Sequence, residues 1–324
     1  MNITAERELA HAGVLRARGL RPASEKPPPE ILDSWARCLQ AGLDFAAPVA
    51  PPVVDGADLA RRRDRTAVLR RLARAELQTL AQQITGSNFL LAFADAEGVI
   101  LDLYADNRFA MSATEAGIVA GSCWAESVCG TNGLGTALAS GRPLAVCGPE
   151  HYLLRLGEVA CTAAPVRDAL GEIVGVIDAS SHFESRQHHT RALVQMAATH
   201  VENGLLMQQM SQRMVLAIHP RPEFLGTLSV GLLAFDDEGR LEAANARARQ
   251  LLQGLRAEPG VDFDTLFCEP YEQVAARLRS GAEIRLRDGL GGGLVARCIA
   301  WPAAPAPRAM PAPEAARTAA GAGG

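Results

Sequence analysis

Apolar positions along this chain follow two different periods. Between Thr66 and Gly86 they recur at helical spacing: Leu77, Leu80, Ala81 and Ile84 fall at i, i+3, i+4 and i+7 and make one stripe. Further on they bunch into short runs separated by one recurring turn. NFLLAFA leads through Asp95-Ala-Glu-Gly98 to VILDLYA, CTAAPVR through Asp168-Ala-Leu-Gly171 to EIVGVIDAS, and GLLAF through Asp236-Asp-Glu-Gly239 to RLEAA. An aspartate opening such a turn accepts bonds from the turn amides, and a glycine three positions later takes the left-handed conformation that closes a short hairpin. These three hairpins predict antiparallel sheet, and their spacing predicts two sheets, one over residues 88–180 and another beginning near 228.

Between the sheets, residues 185–217 read as one long helix. Leu193, His200, Met207 and Met214 recur every seven residues, with Ala197, Gly204 and Ser211 four further on, a weak heptad seam poor in the branched residues of coiled coils. Two uses stay open for it: packing on its own sheet, and pairing with a second copy of the chain. Its methionines read as core or interface, not as a metal box. Earlier, ILDSWARCLQAGL (31–43) is a helical patch between the proline-rich stretches KPPPE and APVAPP and reads as a docking arm. Later, Asn245 is placed to cap a short helix that Gly254 ends, and IRLRDGLGGGLVARCIAW reads as one more hairpin. The pattern predicts an α+β chain in four parts: a helical arm with Pro-rich linkers (1–60), a first sheet domain including the long helix (61–218), a smaller second α+β domain (219–300), and a Pro/Ala/Gly-rich tail (301–324) expected to be disordered.

Composition narrows the function. The chain has 324 residues, enough for about two domains, with 48% hydrophobic and 21% charged residues and a net charge of −4. That balance draws the protein neither to nucleic acid nor to an anionic membrane. No run approaches the roughly 20 apolar residues of a membrane span. The polar start MNITAERELAHAG is unlike a signal peptide, so a cytoplasmic location is expected. Arginines of RRRDR with Arg70, Arg71 and Arg74 make a basic stretch, but no aromatics interleave, and a solvated helix face is the expectation. Seven cysteines without a CxxC read as reduced core residues. His182, His188 and His189 cluster without ligand spacing and read as a polar helix start. No metal and no cofactor are expected.

The stretch CWAESVCGTNGLGTAL (123–138) concentrates Gly130, Gly133 and Gly135 ahead of a helical run. A phosphate-cradling P-loop needs GxxxxGK[ST], and the sole lysine is Lys26, inside ASEKPPPE. The dinucleotide fingerprint GxGxxG fails as well, with Leu138 where the third glycine belongs and turn-like residues where a parallel strand should precede it. The structural expectation is a helix capped by Asn132 or Thr131, running to about Ser140, ended by Gly141 and kept from resuming by Pro143. Leu134, Ala137 and Leu138 would form its buried face, and Gly133 and Gly135 would let it approach a sheet closely. Trp124 and Glu126 stand beside its capped end. Two readings stay open from the residues alone: a small-ligand pocket, or glycines that merely permit tight packing.

AGSCWAESVCGTNGLGTALASGRP, followed by GPEHYLLRLGEVACTAAPVRDALGEIVGVIDAS, closely resembles the GAF sensor domain of acetoin-catabolism-type regulators, sigma-54-dependent activators of the Fis family. SWARCLQAGLD (34–44) resembles the same family's N-terminal segment, and 223–300 resembles, more weakly, its PAS-like second domain. The resemblance implies that the GAF domain senses a small effector and the PAS-like domain relays it. In that family an ATPase with a P-loop and a helix-turn-helix follow. Without a second lysine the P-loop is absent here, so the chain is expected to be a sensor portion lacking ATPase and DNA-binding domains: a fragment, a truncated gene or a free-standing regulator.

The expected function is therefore a non-enzymatic, small-molecule-sensing module of a bacterial transcriptional regulator, forming a homodimer through about 185–217 and acting on transcription machinery or a partner regulator. Direct nucleic-acid and membrane contacts are not expected. Effector contacts are expected first from Trp124, Glu126, Thr131 and Asn132, then from Thr136, His151, Tyr152 and Cys161, which lie near the same place in the resemblance. Two rivals remain. Some GAF domains are free methionine sulfoxide reductases, and Cys123, Cys129 and Cys161 are candidate thiols, though a nucleophilic thiol needs a lowered pKa and a resolving partner. The other rival is a protein-binding scaffold.

Overall fold

The computed structural model describes residues 27–84, 88–105, 117–182 and 189–301. Residues 1–26 of the arm, His188 and the tail beyond Trp301 lie outside the described residues.

The first described helix, α1 (Pro29–Gln40), is started by a proline at its first position and turned so that Ile31, Ser34, Trp35 and Cys38 share one buried face. Next come α2 (Gly56–Arg65), capped by Asp55 accepting from Asp58 N–H, and α3 (Ala67–Gln83), which buries Leu69, Ala73, Leu77 and Leu80 as the helical stripe requires. Then follow β1 (Phe89–Asp95), β2 (Ile100–Ala105), the short turn of helix α4 (Glu126–Cys129), α5 (Gly133–Ser140), β3 (Leu144–Cys147), β4 (Val159–Arg167), β5 (Ile173–His182) and α6 (Thr190–Gln209). The strands form one antiparallel sheet in the order β2-β1-β5-β4-β3.

Both faces of this sheet are covered. Leu90, Ala92 and Ala94 of β1 pack with Trp124, Leu134 and Tyr152, and with Ile31 and Trp35 of α1. Leu91 and Phe93, pointing the other way, pack with Leu77 and Leu80 of α3 and Val194 and Val201 of α6. Every residue of β1 is consequently buried, which is why its sequence shows no apolar–polar alternation.

Arg61, Arg65, Arg71 and Arg74 are exposed as expected from sequence, but Arg62, Arg63 and Arg70 are not part of a solvated face. Arg62 is 2.8 Å from carboxylates of Asp58, Asp95 and Glu97. Arg63 donates to the carbonyl of Leu101, and Arg70 holds Asp102 by two bonds of 2.8 and 2.7 Å. The guanidinium fork suits carboxylate pairs and carbonyls alike, so these side chains fasten α2 and α3 to the β1–β2 hairpin.

A second antiparallel sheet follows: β6 (Met214–His219), β7 (Gly231–Phe235), β8 (Leu241–Ala244), then the helices α7 (Ala246–Leu251), α8 (Phe263–Leu266) and α9 (Tyr271–Leu278), and finally β9 (Ile284–Arg287) and β10 (Gly293–Ala300), in the order β8-β7-β6-β10-β9. This corrects the sequence expectation that the helix runs to 217 and the sheet starts near 228. The helix ends at Gln209, and MVLAIH is the middle strand, buried at all six positions. Met214 fits the heptad by coincidence, because a short unbroken apolar run fits helical and strand periods equally. Other expectations match: Asn245 caps α7 by accepting from Ala248 N–H, and Gly254 turns the chain beyond it with φ of +97°.

The recurring turn is real, and it occurs a fourth time. In each, the Oδ1 of Asp95, Asp168, Asp236 or Asp288 accepts two turn amides, and Gly98, Gly171, Gly239 and Gly291 have φ of 81°, 93°, 81° and 90°. One face of the second sheet packs on its own helices. Its other face, with Val215, Ala217, Leu232 and Ala234, meets Leu206 of α6 and Ala169 of the β4–β5 turn. Asn245 Nδ2 donates to Asn203 Oδ1 of α6 across the same junction.

Candidate functional site

The glycine stretch becomes two helical turns set at an angle against the first sheet. Asn132 caps α5 by accepting from Gly135 N–H, while its Nδ2 donates to the carbonyls of Trp124 and Gly130. Gly141 ends the helix in the left-handed conformation, as the sequence predicts. Gly133 is demanded by proximity: a Cβ there would stand 2.4 Å from Asp178 Oδ1 and 2.6 Å from Cys161 Cβ. At Gly135 the obstacle is the backbone of residues 124–126 rather than the sheet, with Trp124 O only 2.4 Å from such an atom. The two glycines thus seat α5 on the sheet and on the preceding turn.

Despite this close seating, the sheet and α5 do not meet everywhere. A cavity of about 30 Å3 lies between them, lined by Trp124, Asn132, Gly133 and Leu134 on one side and Leu90, Ala92, Cys161, Asp178 and Ser180 on the sheet, with His151 and Leu156 also in its wall. Of the eight residues expected to contact an effector, Trp124, Asn132, His151 and Cys161 line it; Glu126, Thr131, Thr136 and Tyr152 do not.

Those four serve other contacts. The Glu126 carboxylate accepts Arg37 Nε at 2.5 Å, Arg37 Nη2 at 3.0 Å and the Ser34 hydroxyl at 2.5 Å, all from α1. Ser34 Oγ is also 2.7 Å from Thr131 Oγ1 and 3.3 Å from Thr136 Oγ1. Hydrogen bonding to Glu126 raises the Arg37 pKa further. Tyr152 donates to the carbonyl of Leu43, and its ring fills the space beside Gly130, whose φ is +65°. These residues latch α1 and the chain after it onto the α4–α5 turn.

The cavity's polar wall is a chain of four side chains. His151 Nδ1 is 3.0 Å from the carbonyl of Gly148, which can only accept, so this nitrogen carries the proton. Its Nε2, 3.3 Å from Cys161 Sγ, then accepts from the thiol. The Ser180 hydroxyl is 2.6 Å from Asp178 Oδ2 and 3.2 Å from Cys161 Sγ. Asp178 is 2% exposed, and among the described residues its Oδ1 has no hydrogen-bond partner. Desolvation pushes the Asp178 carboxyl up to about 7, opposed by the bond from Ser180. Sequence reasoning missed Asp178 and Ser180, although an acidic residue inside the apolar run EIVGVIDAS, on a strand covered from both sides, was a visible anomaly.

Thiol chemistry finds no support in this geometry. Burial raises the thiol of Cys161, with the Asp178 charge adding to it, and raises Cys129 to about 12 and Cys38 to about 11. A nucleophilic thiolate needs the opposite shift. Among the described residues no group of three or more His, Cys, Asp and Glu side chains can hold a metal ion, and no helix is long and apolar enough to cross a membrane. A larger open groove of about 530 Å3 runs between α3, the β1–β2 turn and α6, but its acidic residues Asp95 and Glu97 are already bound to Arg62.

Comparison with known proteins identifies relatives of the chain. The MimR N-terminal domain family matches residues 13–203. The acetoin catabolism regulatory protein of Cupriavidus necator is 30% identical over 309 residues, covering 88% of this chain and 45% of that protein. The propane 2-monooxygenase operon transcriptional activator MimR of Mycolicibacterium smegmatis is 30% identical over 177 residues, covering 54% of this chain and 29% of the activator. This chain therefore spans less than half the length of either relative. Among solved structures, the E. coli DhaR(N)–DhaL complex contains a chain that superposes with a TM-score of 0.55 at 20% identity, covering 83% of this chain and 98% of that one, a likeness of fold.

Proposed function

The chain belongs to the family of MimR N-terminal domains, and we propose that it is the small-molecule-sensing region of a transcriptional regulator, built as a GAF domain followed by a PAS-like domain. The relatives are operon regulators, one named for acetoin catabolism and one for a propane 2-monooxygenase operon, which supports control of transcription in response to small carbon compounds. One observation carries the sensing reading: a small cavity at the capped start of α5, lined by a carboxylate one of whose buried oxygens the described residues leave unbonded. Trp124, Asn132, His151 and Cys161 are the proposed contacts among the residues expected from sequence.

The packing supports a signal relay. α6 lies on the first sheet through Val194, Ala197 and Val201 and reaches the second through Leu206 and Met207. Ligand binding that stabilises one seating of α5 on β4 and β5 shifts the α6 contacts on the opposite face of those strands, and so the second sheet. Association of two copies along α6 belongs to the same proposal, using the outward face on which Met196 is 49% exposed. A protein partner as recipient of the signal is supported by the DhaR(N) structure being a complex with another protein.

The test is a thermal-melt screen of small ketones, diols, alcohols and aromatics. A ligand at about 100 times its Kd adds about 2.7 kcal/mol to the folded state. A melting temperature unmoved by every compound at 100 mM overturns the sensing reading.

A further inference from the structure

The cavity's chemistry narrows what it accepts. We propose that it selects a compact, uncharged molecule bearing a hydroxyl group, which donates its hydrogen bond to Asp178 Oδ1; this selectivity rests on the reading of the cavity as the effector site.

Most polar groups on the cavity wall are already engaged. The Asn132 amide donates to two carbonyls and accepts from Gly135, Trp124 Nε1 donates to Ser122 Oγ, and His151, Cys161 and Ser180 bond to one another or to Gly148 and Asp178. Asp178 Oδ1 is the exception, and a buried acceptor left unbonded favours a ligand that brings a donor. Leu90, Ala92, Ile118, Leu134, Leu156 and Val159 make the rest of the wall apolar, matching methyl and methylene groups.

Size and charge set the other limits. One water needs roughly 10–15 Å3 of such space, so the 30 Å3 available admits a molecule of only a few non-hydrogen atoms unless the wall moves. An anion would stand against the Asp178 carboxylate. A cation would enter a mostly apolar enclosure beside the positive end of α5, where Gly133 abuts Asp178 Oδ1. A neutral alcohol meets neither obstacle.

The experiment uses 2-propanol and acetone, which share a carbon frame and differ in one hydrogen-bond donor, with methylammonium as a cationic probe. Binding to the full chain is followed by ligand-detected NMR at about pH 8.5, above the value of about 7 at which Asp178 gives up its proton, for wild type and Asp178→Ala. The expected result is a preference for 2-propanol over acetone of at least about ten-fold in wild type, shrinking to within about two-fold in the variant. If Asp178→Ala does not fold, the wild-type comparison still decides, and Asp178→Asn, which keeps the side-chain size, must lower the preference at least about three-fold. Acetone bound as well as or better than 2-propanol overturns hydroxyl recognition while leaving the cavity a ligand site. Methylammonium bound more tightly than 2-propanol overturns the neutral-ligand claim. No binding of any probe at 100 mM overturns this inference, and the sensing reading then stands or falls on the wider melt screen.

Discussion

Replacing Asp178 with asparagine removes the one buried carboxyl on the cavity wall whose proton affinity departs far from normal. Burial carries it from an ordinary value of 3.8 to about 7 in the folded chain. Between those values the folded protein keeps a proton that the unfolded chain has lost. Stability therefore falls as pH rises through this window and levels off above about 7. At about 1.4 kcal/mol per unit the whole window is worth about 4 kcal/mol, of which about 2.5 kcal/mol falls between pH 5 and 8. For domains of this size that is a change of about 5–10 °C in melting temperature. The substituted amide does not titrate, so the melting temperature of Asp178→Asn minus that of wild type should rise by this amount from pH 5 to 8, whatever constant cost the amide brings. The measurement is a set of melts in ligand-free buffer at half-unit steps. A difference constant to within about 2 °C would show that Asp178 is ionised in the fold throughout, and the account of its burial would be wrong.

Two other perturbations test the scaffold around the cavity. Gly133→Ala forces a methyl to within 2.4 Å of Asp178 Oδ1 and 2.6 Å of Cys161 Cβ, and should cost about 1–3 kcal/mol by urea midpoint; an unchanged midpoint would mean α5 is not seated this closely. Arg37→Met strands the buried Glu126 carboxylate. Losing one partner of a buried pair costs about 3–5 kcal/mol, and with the Arg37 side chain 40% exposed we expect about 2 kcal/mol. Adding Glu126→Gln should recover at least half of that loss, whereas purely additive losses in the double variant would refute the latch.

Local chemistry was legible in the sequence where one residue dictates one geometry. The Asp-x-x-Gly turns gave three hairpins, and Asn132 with Gly141 bracketed α5, because turn and cap rules act within four residues. Long-range pairing was not legible in the same way. Arg62 and Arg70 looked like solvent-facing charge because Asp95 and Asp102, which hold them, lie some thirty positions on. Glu126 was placed at the cavity for its nearness in sequence to Trp124, but a side chain on α1, 89 residues earlier, turns it away. The end of α6 was misplaced because period alone does not separate a buried strand from a helix continuing.

Asp178 sits opposite Ala92 and Ala163 on β5, a strand held along seven paired positions by β1 and nine by β4. The acceptor is thereby fixed to a strand paired along both edges, while Leu134 and Leu156 across the cavity belong to a short helix and a single turn. Retargeting this pocket in evolution or in the laboratory then calls for exchanging a few aliphatic side chains opposite an unchanged carboxylate. On the proposed sensing function, selectivity can drift from one compound to another without redesign of the architecture proposed to report it.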